Sequence, residues 1–373
     1  MLLMNIINKI LVLLILGLIL IPSIANAQLN DQIFPAVVIK IIDEKTVTDD
    51  SGSSLTLQKL KLKGLEGEWK DQEIEFDGTQ YEVVSANQYE VGDKVLVTAT
   101  INSDGENIFY VTDYIRQGSI YWLAIIFAII VIAIGKLKGL RALVVLFLTF
   151  FIILKFILPQ ILNGSNPLFI SIVGSLFILI IAIYLTEGFK RNSTISVVAI
   201  TTALMMTGLI SILFTNFAKL SGGGDDDIFF LKELLGANIN VEGLLLAGII
   251  IGTLGVLDDV VVTQVESINQ LKQANPALKK FELYRKGMKI GVTHMSAMVN
   301  TLFLAYAGAS LPLLLLFSGN KTINVTFSDA LNNELIATEI IRTLTGSIGL
   351  LLAVPLATIL AVNFIKMKTT ENK

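Results

Sequence analysis

Residues 243–268 read GLLLAGIIIGTLGVLDDVVVTQVESI. The first part is apolar, relieved only by Gly248, Gly252, Thr253 and Gly255, and it then meets two carboxylates, Asp258 and Asp259. About 20 such residues in a helix cross a bilayer core of about 30 Å. A carboxylate inside such a helix is costly and faces a cavity or a partner. The three glycines put small residues along the helix, suited to close approach of a neighbouring backbone or to a local break. The stretch therefore reads as a membrane span that carries chemistry.

Further spans lie on either side. Apolar runs of the required length are read at 119–135, 140–158, 168–186, 195–217, 241–262, 291–317 and 335–364, seven in all. The whole composition agrees. Hydrophobic residues make up 53% of the 373 and charged residues 16%, against about 25% charged in soluble domains. Mean hydropathy is +0.72. Lys136, Lys138 and Arg141 separate spans one and two, and Lys190 and Arg191 follow span three. Lys272, Lys279, Lys280, Arg285, Lys286 and Lys289 separate spans five and six, and Lys366, Lys368 and Lys373 follow span seven. The alternate connections carry no charge (159–167) or Asp225, Asp226 and Asp227. All the basic segments thus fall on one side, which the distribution of Lys and Arg predicts to be the cytoplasm. Tyr121 and Trp122 stand where an interfacial aromatic anchor belongs.

The chain before the spans has another character. Residues 10–21 form an apolar run after a short n-region with Lys9, Pro22 breaks it, and Ala25-Asn26-Ala27 supplies an A-x-A cleavage pattern. Residues 1–27 are read as a secretory signal peptide, with an uncleaved anchor as the alternative. From 28 to 116, β-branched residues alternate with polar ones between turns such as Asp49-Asp50-Ser51-Gly52 and 64–67. Five or six short strands there suggest a small OB-like barrel. A nucleic-acid face would interleave basic residues with stacking aromatics. The mixed charge here lacks that pattern, so a structural or docking module is expected. The fold class is a polytopic α-helical membrane protein with an extracytoplasmic OB-like β-barrel domain. Its divisions are 1–27 signal peptide, 28–116 β-rich domain, 117–366 transmembrane domain and 367–373 cytoplasmic tail. It is expected in the plasma membrane, multi-pass, with the N-terminal domain outside and the C-terminus cytoplasmic.

Several chemistries are excluded. There is no cysteine, hence no disulfide or thiolate site, and the single histidine, His294, cannot build a multi-histidine zinc site. Walker, G-x-S-x-G and H-E-x-x-H patterns are absent. Gly222-Gly223-Gly224-Asp225 matches the G-x-G-D of intramembrane aspartyl proteases, but it falls in a connection outside the spans. That chemistry also needs a second facing aspartate. No cofactor is expected, and an enzymatic role is disfavoured.

The candidate site gathers on spans five and six. Adjacent helical residues point about 100° apart, so Asp258 and Asp259 do not share a face. Asp259, Thr263 and Glu266 do, by i, i+4 and i+7 spacing. Asp258 lies about 25 Å along the helix from Val241. That depth also suits carboxylates that mark the cytoplasmic end, capped by the basic segment. His294, near the same edge, forms an Asp–His pair for relaying protons or holding a cation, or else packs as an ordinary side chain. Asn300 is near mid-span, where it is expected to hydrogen-bond across helices. Lys155 snorkels at the far end of span two, and Glu339 pairs with Arg342 at i, i+3. Thr345, Gly346 and Gly349 form the packing face of span seven, which Pro355 kinks. Asn166-Pro167 and Asn275-Pro276 hint that spans two to four and five to seven are inverted repeats, a transporter feature.

Residues 252–268 (GTLGVLDDVVVTQVESI) and 294–316 (HMSAMVNTLFLAYAGASLPLLLL) resemble the signature of the YibE/F-like membrane proteins. Residues 67–76, 89–97, 110–116 and 158–168 agree with it, so the resemblance covers nearly the whole mature chain in order. Its most specific parts are Asp258 and the run from Asn300-Thr301 to Leu311-Pro312. The resemblance implies an exported N-terminal domain followed by several spans, and an acidic step at Asp258–Asp259 in a glycine-rich helix. Glu266 departs from it by an added acid. It implies no established activity. Two functions are expected as alternatives. One is a secondary transporter or permease in which Asp258, Asp259, His294, Asn300 and Glu266 bind a proton or cation beside a break at Gly248, Gly252 and Gly255. The other is a non-transporting sensor or assembly factor whose external β-domain binds a protein partner. The lipid bilayer is a partner in both, and nucleic acid in neither.

Overall fold

The computed structural model describes residues 32–48, 54–79, 87–101, 105, 107–224, 228, 230, 231, 239–319 and 326–365. The signal peptide over 1–27, the turn at Asp49–Gly52, the acidic run Asp225–Asp227 and the basic tail from Lys366 lie outside them. The chain divides into two compact units, Ala25–Ala133 and Ile134–Lys373.

The first unit is built on an antiparallel sheet of β1 (Gln32–Thr48), β2 (Ser54–Gly64), β3 (Glu73–Asp77), β4 (Lys94–Ile101) and β5 (Asn107–Tyr114). Their order across the sheet is β3-β2-β1-β4-β5. β1 serves two partners: residues 32–37 pair with β4 and 36–48 pair with β2. Its register shifts at Val38/Lys40 and Ile41/Asp43, and bulges of this kind bend a strand and increase its twist. The curled sheet brings β3 and β5 near each other. Alternation does the sorting. Val95, Val97 and Ala99 are buried with Ala36, Val38, Leu60, Leu62, Ile74 and Phe76, while the intervening polar side chains face out. Gly64 is needed for contact, since a Cβ there would lie 2.0 Å from the carbonyl oxygen of Trp69. Trp69 in turn packs edge-on against Phe109 at 4.9 Å.

Gln58 is buried, and its side chain acts as a strand partner for the segment before β4. Its Nε2 donates to the Tyr89 carbonyl at 3.1 Å, and its Oε1 accepts from the Tyr89 N–H at 2.7 Å. Gln58→Ala strands both backbone groups in the core, so it is expected to destabilise this unit by about 1–3 kcal/mol. Thermal melting of the full chain reads the effect, and an unchanged transition would remove Gln58 from this role.

Carboxylates on the surface of the unit confer acid sensitivity. The Thr79 hydroxyl bonded to Asp77, with Lys59 nearby, holds the Asp77 carboxyl below its ordinary value. The Lys63 ammonium bonded to Asp71 and the Arg116 guanidinium bonded to Asp113 act in the same direction. Each folded pKa lies below its unfolded one, so the unfolded chain binds more protons in this range. The stabilisation is complete above about pH 4 and disappears as pH falls through the lower folded values. The melting temperature of the β-rich unit is expected to drop as pH falls below about 4. Asp77→Asn should blunt that drop.

Among the described residues, the helical unit and the segment leading into it hold six helical stretches long and apolar enough to cross a membrane. α1 (Gln117–Ile152) runs into a π-helical turn (Ile153–Ile157, containing Lys155) and α2 (Leu158–Leu162). Together they make one stretch of 46 residues. At Lys136 the backbone leaves helical geometry, with φ 51° and ψ −130°. Such a conformation costs a side-chain-bearing residue on the order of 1 kcal/mol. Lys136→Gly is therefore expected to raise thermal stability in detergent by about that amount, and Lys136→Ala is not. Equal melting of the two variants would refute the strain.

α3 (Pro167–Glu187), α4 (Arg191–Phe217), α5 (Val241–Ala274), α6 (Lys280–Ala309), α7 (Leu311–Gly319), α8 (Phe327–Asn332) and α9 (Glu334–Phe364) follow. α4, α5 and α9 pack closely on one another, with α3 against α5 and α6 against α9 and α5. The core holds Ile200, Ala203, Ile250, Leu254, Leu257, Ala353 and Ala357. Two boundaries correct the sequence reading. The basic segment before span six is not all loop, because α6 already begins at Lys280. Glu282 accepts from the Lys279 N–H to cap it, and Leu283 and Gly287 are buried. Span six also ends at Ala309 rather than at 317. Pro312 has no N–H and its ring crowds the carbonyl of residue 308, which closes α6 and opens α7. The two Asn-Pro dipeptides play different local roles: Asn166 caps the start of α3 at Phe169 N, 3.1 Å, whereas Asn275 closes the end of α5.

Candidate functional site

α5 forms because its apolar positions repeat with helical period and because Asn240 caps it, accepting from the Gly243 N–H at 2.8 Å. It runs unbroken for 34 residues. The break expected at Gly248–Gly255 is absent, since the helical hydrogen bonding continues past all three glycines. Nor do Gly248 and Gly255 make a tight helix contact. A Cβ at Gly248 or Gly255 would meet nothing within 4 Å, and at Gly252 only the Tyr306 hydroxyl at 2.8 Å. They lie on an exposed face that continues through Asp259, Thr263 and Glu266, as the i, i+4, i+7 spacing requires.

Asp258 and Asp259 point to different surroundings. Asp258 is half-buried and Asp259 exposed. Asp258 is in electrostatic reach of Asp259 and of Glu187, the last residue of α3. Lys138 of α1 approaches Glu187 at 4.0 Å. From α6, His294 comes within electrostatic reach of Asp259. Its Nε2 is buried and has no hydrogen-bond partner among the described residues. Three carboxylates, an imidazole and an ammonium from four helical elements thus gather in one region of the bundle. These groups share an electrostatic field within apolar helices, the kind of grouping that marks proton or cation paths. No group of three or more metal-ligating side chains converges closely enough to hold a metal ion among the described residues.

Two predicted members stand apart. Glu266 lies about two turns beyond Asp259, roughly 10 Å along the axis. Its carboxylate accepts from Gln270 at 2.6 Å, from Asn269 at 3.2 Å and from Asn192 of α4 at 3.3 Å. It joins α4 to α5 and is occupied by amides. The Asn300 side chain is exposed on α6, and the expected bond across helices is not made among the described residues. Glu187 was not singled out from sequence, because it ends a span and reads as a terminal charge. The available signal was an acid three residues before Lys190 of the basic pair Lys190 and Arg191.

A second residue missed from sequence is Gln264. It is buried, and its Nε2 donates to the Gly287 carbonyl at 3.0 Å and to Thr358 Oγ1 at 2.7 Å. It therefore joins α5 to α6 and α9, about one and a half turns along α5 from Asp259. A polar residue at period 3.6 among apolar ones was visible, but the partners it needed were not.

A family model described as YibE/F-like protein matches residues 123–367, and the chain belongs to that family. No curated protein and no solved structure matches it.

Proposed function

We propose that this YibE/F-like protein is a secondary transporter or permease coupled to a proton or cation gradient. The observation that supports this best is the meeting of Asp258 and Asp259 of α5 with His294 of α6 and Glu187 of α3. Ionisable groups within apolar helices are costly to retain and mark ion or proton paths. In this proposal Asp259, open on its face, takes up the ion. His294 exchanges a proton with it, and Asp258 with Glu187 sets the local negative field. Asn300 lies further along α6 and serves the substrate path.

The proposal includes a topology. The first 46-residue stretch would be roughly 69 Å long if it were one straight helix, more than twice a bilayer core. The non-helical backbone at Lys136 supports two crossings there and seven in all. The β-rich unit would then be exported by a cleaved signal peptide and lie outside the plasma membrane, with the C-terminus in the cytoplasm. The strand order and the approach of β3 to β5 support an OB-like barrel. The chain has no native cysteine, so single cysteines test sidedness directly. Gly118→Cys and Asn163→Cys are expected to label from one side and Lys138→Cys from the other. Labelling of positions 118 and 163 from opposite sides refutes the seven-crossing arrangement.

Activity is tested in proteoliposomes loaded with a pH-sensitive dye and challenged with ions and small metabolites. Wild-type flux that collapses in Asp259→Asn supports transport. A second function, a non-transporting sensor or assembly factor, draws support from Ile33, Val91 and Ile101 of the β-rich unit. They are 66%, 63% and 71% exposed, which suits contact with an extracytoplasmic protein.

A further inference from the structure

At the end of the helical unit where α6 finishes and α9 begins, two cavities adjoin. One, of about 490 Å³, is apolar and lined by Phe303 and Tyr306 of α6, Leu314 of α7 and Ile340 and Leu344 of α9. The other, of about 390 Å³, is polar and reaches Glu334, Thr338 and Arg342 of α9. Ser310, Leu313 and Glu339 line both. Each is of the size that takes a small molecule or part of a chain.

The polar cavity has distinct chemistry. Arg342 Nη1 donates to Glu339 Oε1 at 2.6 Å. Its Nε is buried and has no hydrogen-bond partner among the described residues. The Arg342 side chain is 28% exposed and lines the polar cavity, where its accessible N–H groups suit an oxygen of a phosphate or carboxylate. Glu334 is committed elsewhere: its Oε1 accepts from the Ser221 N–H, the Ser221 hydroxyl and the Gly222 N–H at 2.6, 2.7 and 2.8 Å. Two carboxylates and one guanidinium therefore border this cavity among the described residues. A purely anionic headgroup would satisfy Arg342 but face net negative charge. A headgroup with both a phosphate and an ammonium answers both signs. Arg342 lies about 12 Å along α9 from its start, the depth at which headgroups give way to acyl chains when α9 spans the bilayer.

We propose that this paired cavity is a binding site for an amine-bearing zwitterionic phospholipid, its phosphate on Arg342, its ammonium beside Glu339, and part of an acyl chain in the apolar cavity between α6 and α9. The proposal is independent of transport at Asp259.

The test is native mass spectrometry of the purified full chain with equal amounts of phosphatidylethanolamine, phosphatidylglycerol and phosphatidylcholine. Phosphatidylethanolamine is expected to be retained in preference to both others. Arg342→Gln should weaken it about tenfold, the scale of one charge-assisted hydrogen bond. Leu344→Trp fills the apolar cavity without touching the ion pair and should weaken all three lipids. Arg342→Gln leaves Glu339 unpaired, so the double variant Glu339→Gln/Arg342→Met guards against misfolding. With an unchanged melting temperature, it should lose the preference among lipids. Equal retention of the three lipids by wild type, a preference for phosphatidylglycerol, or retention of phosphatidylethanolamine untouched by all three variants would each overturn the proposal.

Discussion

Asp259→Asn is expected to abolish gradient-driven flux in proteoliposomes while leaving the protein folded. The amide keeps the shape of the carboxylate and removes its charge. A charge-assisted contact to a bound cation or proton donor contributes roughly 1.5–3 kcal/mol, about ten- to a hundredfold in affinity. Folding should be spared because Asp259 is exposed on α5 and makes no hydrogen bond among the described residues. Asp258→Asn should differ. Asp258 is half-buried beside Asp259 and Glu187, so replacing it relieves like-charge crowding. Flux should fall less than for Asp259→Asn, and the melting temperature should rise. His294→Gln keeps a polar group near Asp259 but removes the only imidazole, so its flux should persist with an altered dependence on pH. If Asp259→Asn carries flux like wild type, the α5–α6 cluster is not the ion path. If it loses flux only by unfolding, the cluster is structural.

Much of this arrangement was legible because membrane helices must be long, apolar and internally hydrogen-bonded. The ends of α3, α4 and α9 fall within a few residues of the runs read at 168–186, 195–217 and 335–364. The Glu339–Arg342 pair forms at its i, i+3 spacing. Thr345, Gly346 and Gly349 are buried on α9 as expected of a packing face. The alternation that places Val95, Val97 and Ala99 inward was equally plain. What hydropathy cannot carry is the partner of a residue. Nothing local in α5 shows that Gln264 finds Gly287 and Thr358, or that Glu187 comes to Asp258 from α3. Charge also misled. The lysines and Arg285 before span six suggested a loop, yet residues 280–290 keep a buried edge through Leu283 and Gly287 and continue the helix.

The glycines give the sharpest contrast between what spacing suggests and what packing requires. Gly248, Gly252 and Gly255 have the small-residue spacing of a helix contact, yet the bundle leaves Gly248 and Gly255 open. Tight junctions lie instead at other glycines, among them Gly291 and Gly349. A Cβ on Gly291 would lie 2.5 Å from Val354 Cγ1 and 2.9 Å from Gln264 Oε1. A Cβ on Gly349 would lie 2.0 Å from Thr207 Oγ1 and 3.0 Å from its Cβ. Val354 and Thr207 are fully buried, and Gln264 is held by its two hydrogen bonds, so none can yield freely. Gly291→Ala is therefore expected to cost about 1–3 kcal/mol from overpacking, and about 1 kcal/mol more for each Gln264 bond displaced. Its melting temperature should fall by on the order of 10 °C. Gly248→Ala adds a methyl to open space and removes a weak helix former, so it should be neutral or stabilising by up to about 1 kcal/mol. Thermal melting of both variants in the same detergent decides the matter. A stable Gly291→Ala beside an unstable Gly248→Ala would mean that α6 does not seat on Gln264, and the position of His294 opposite Asp259 would fall with it.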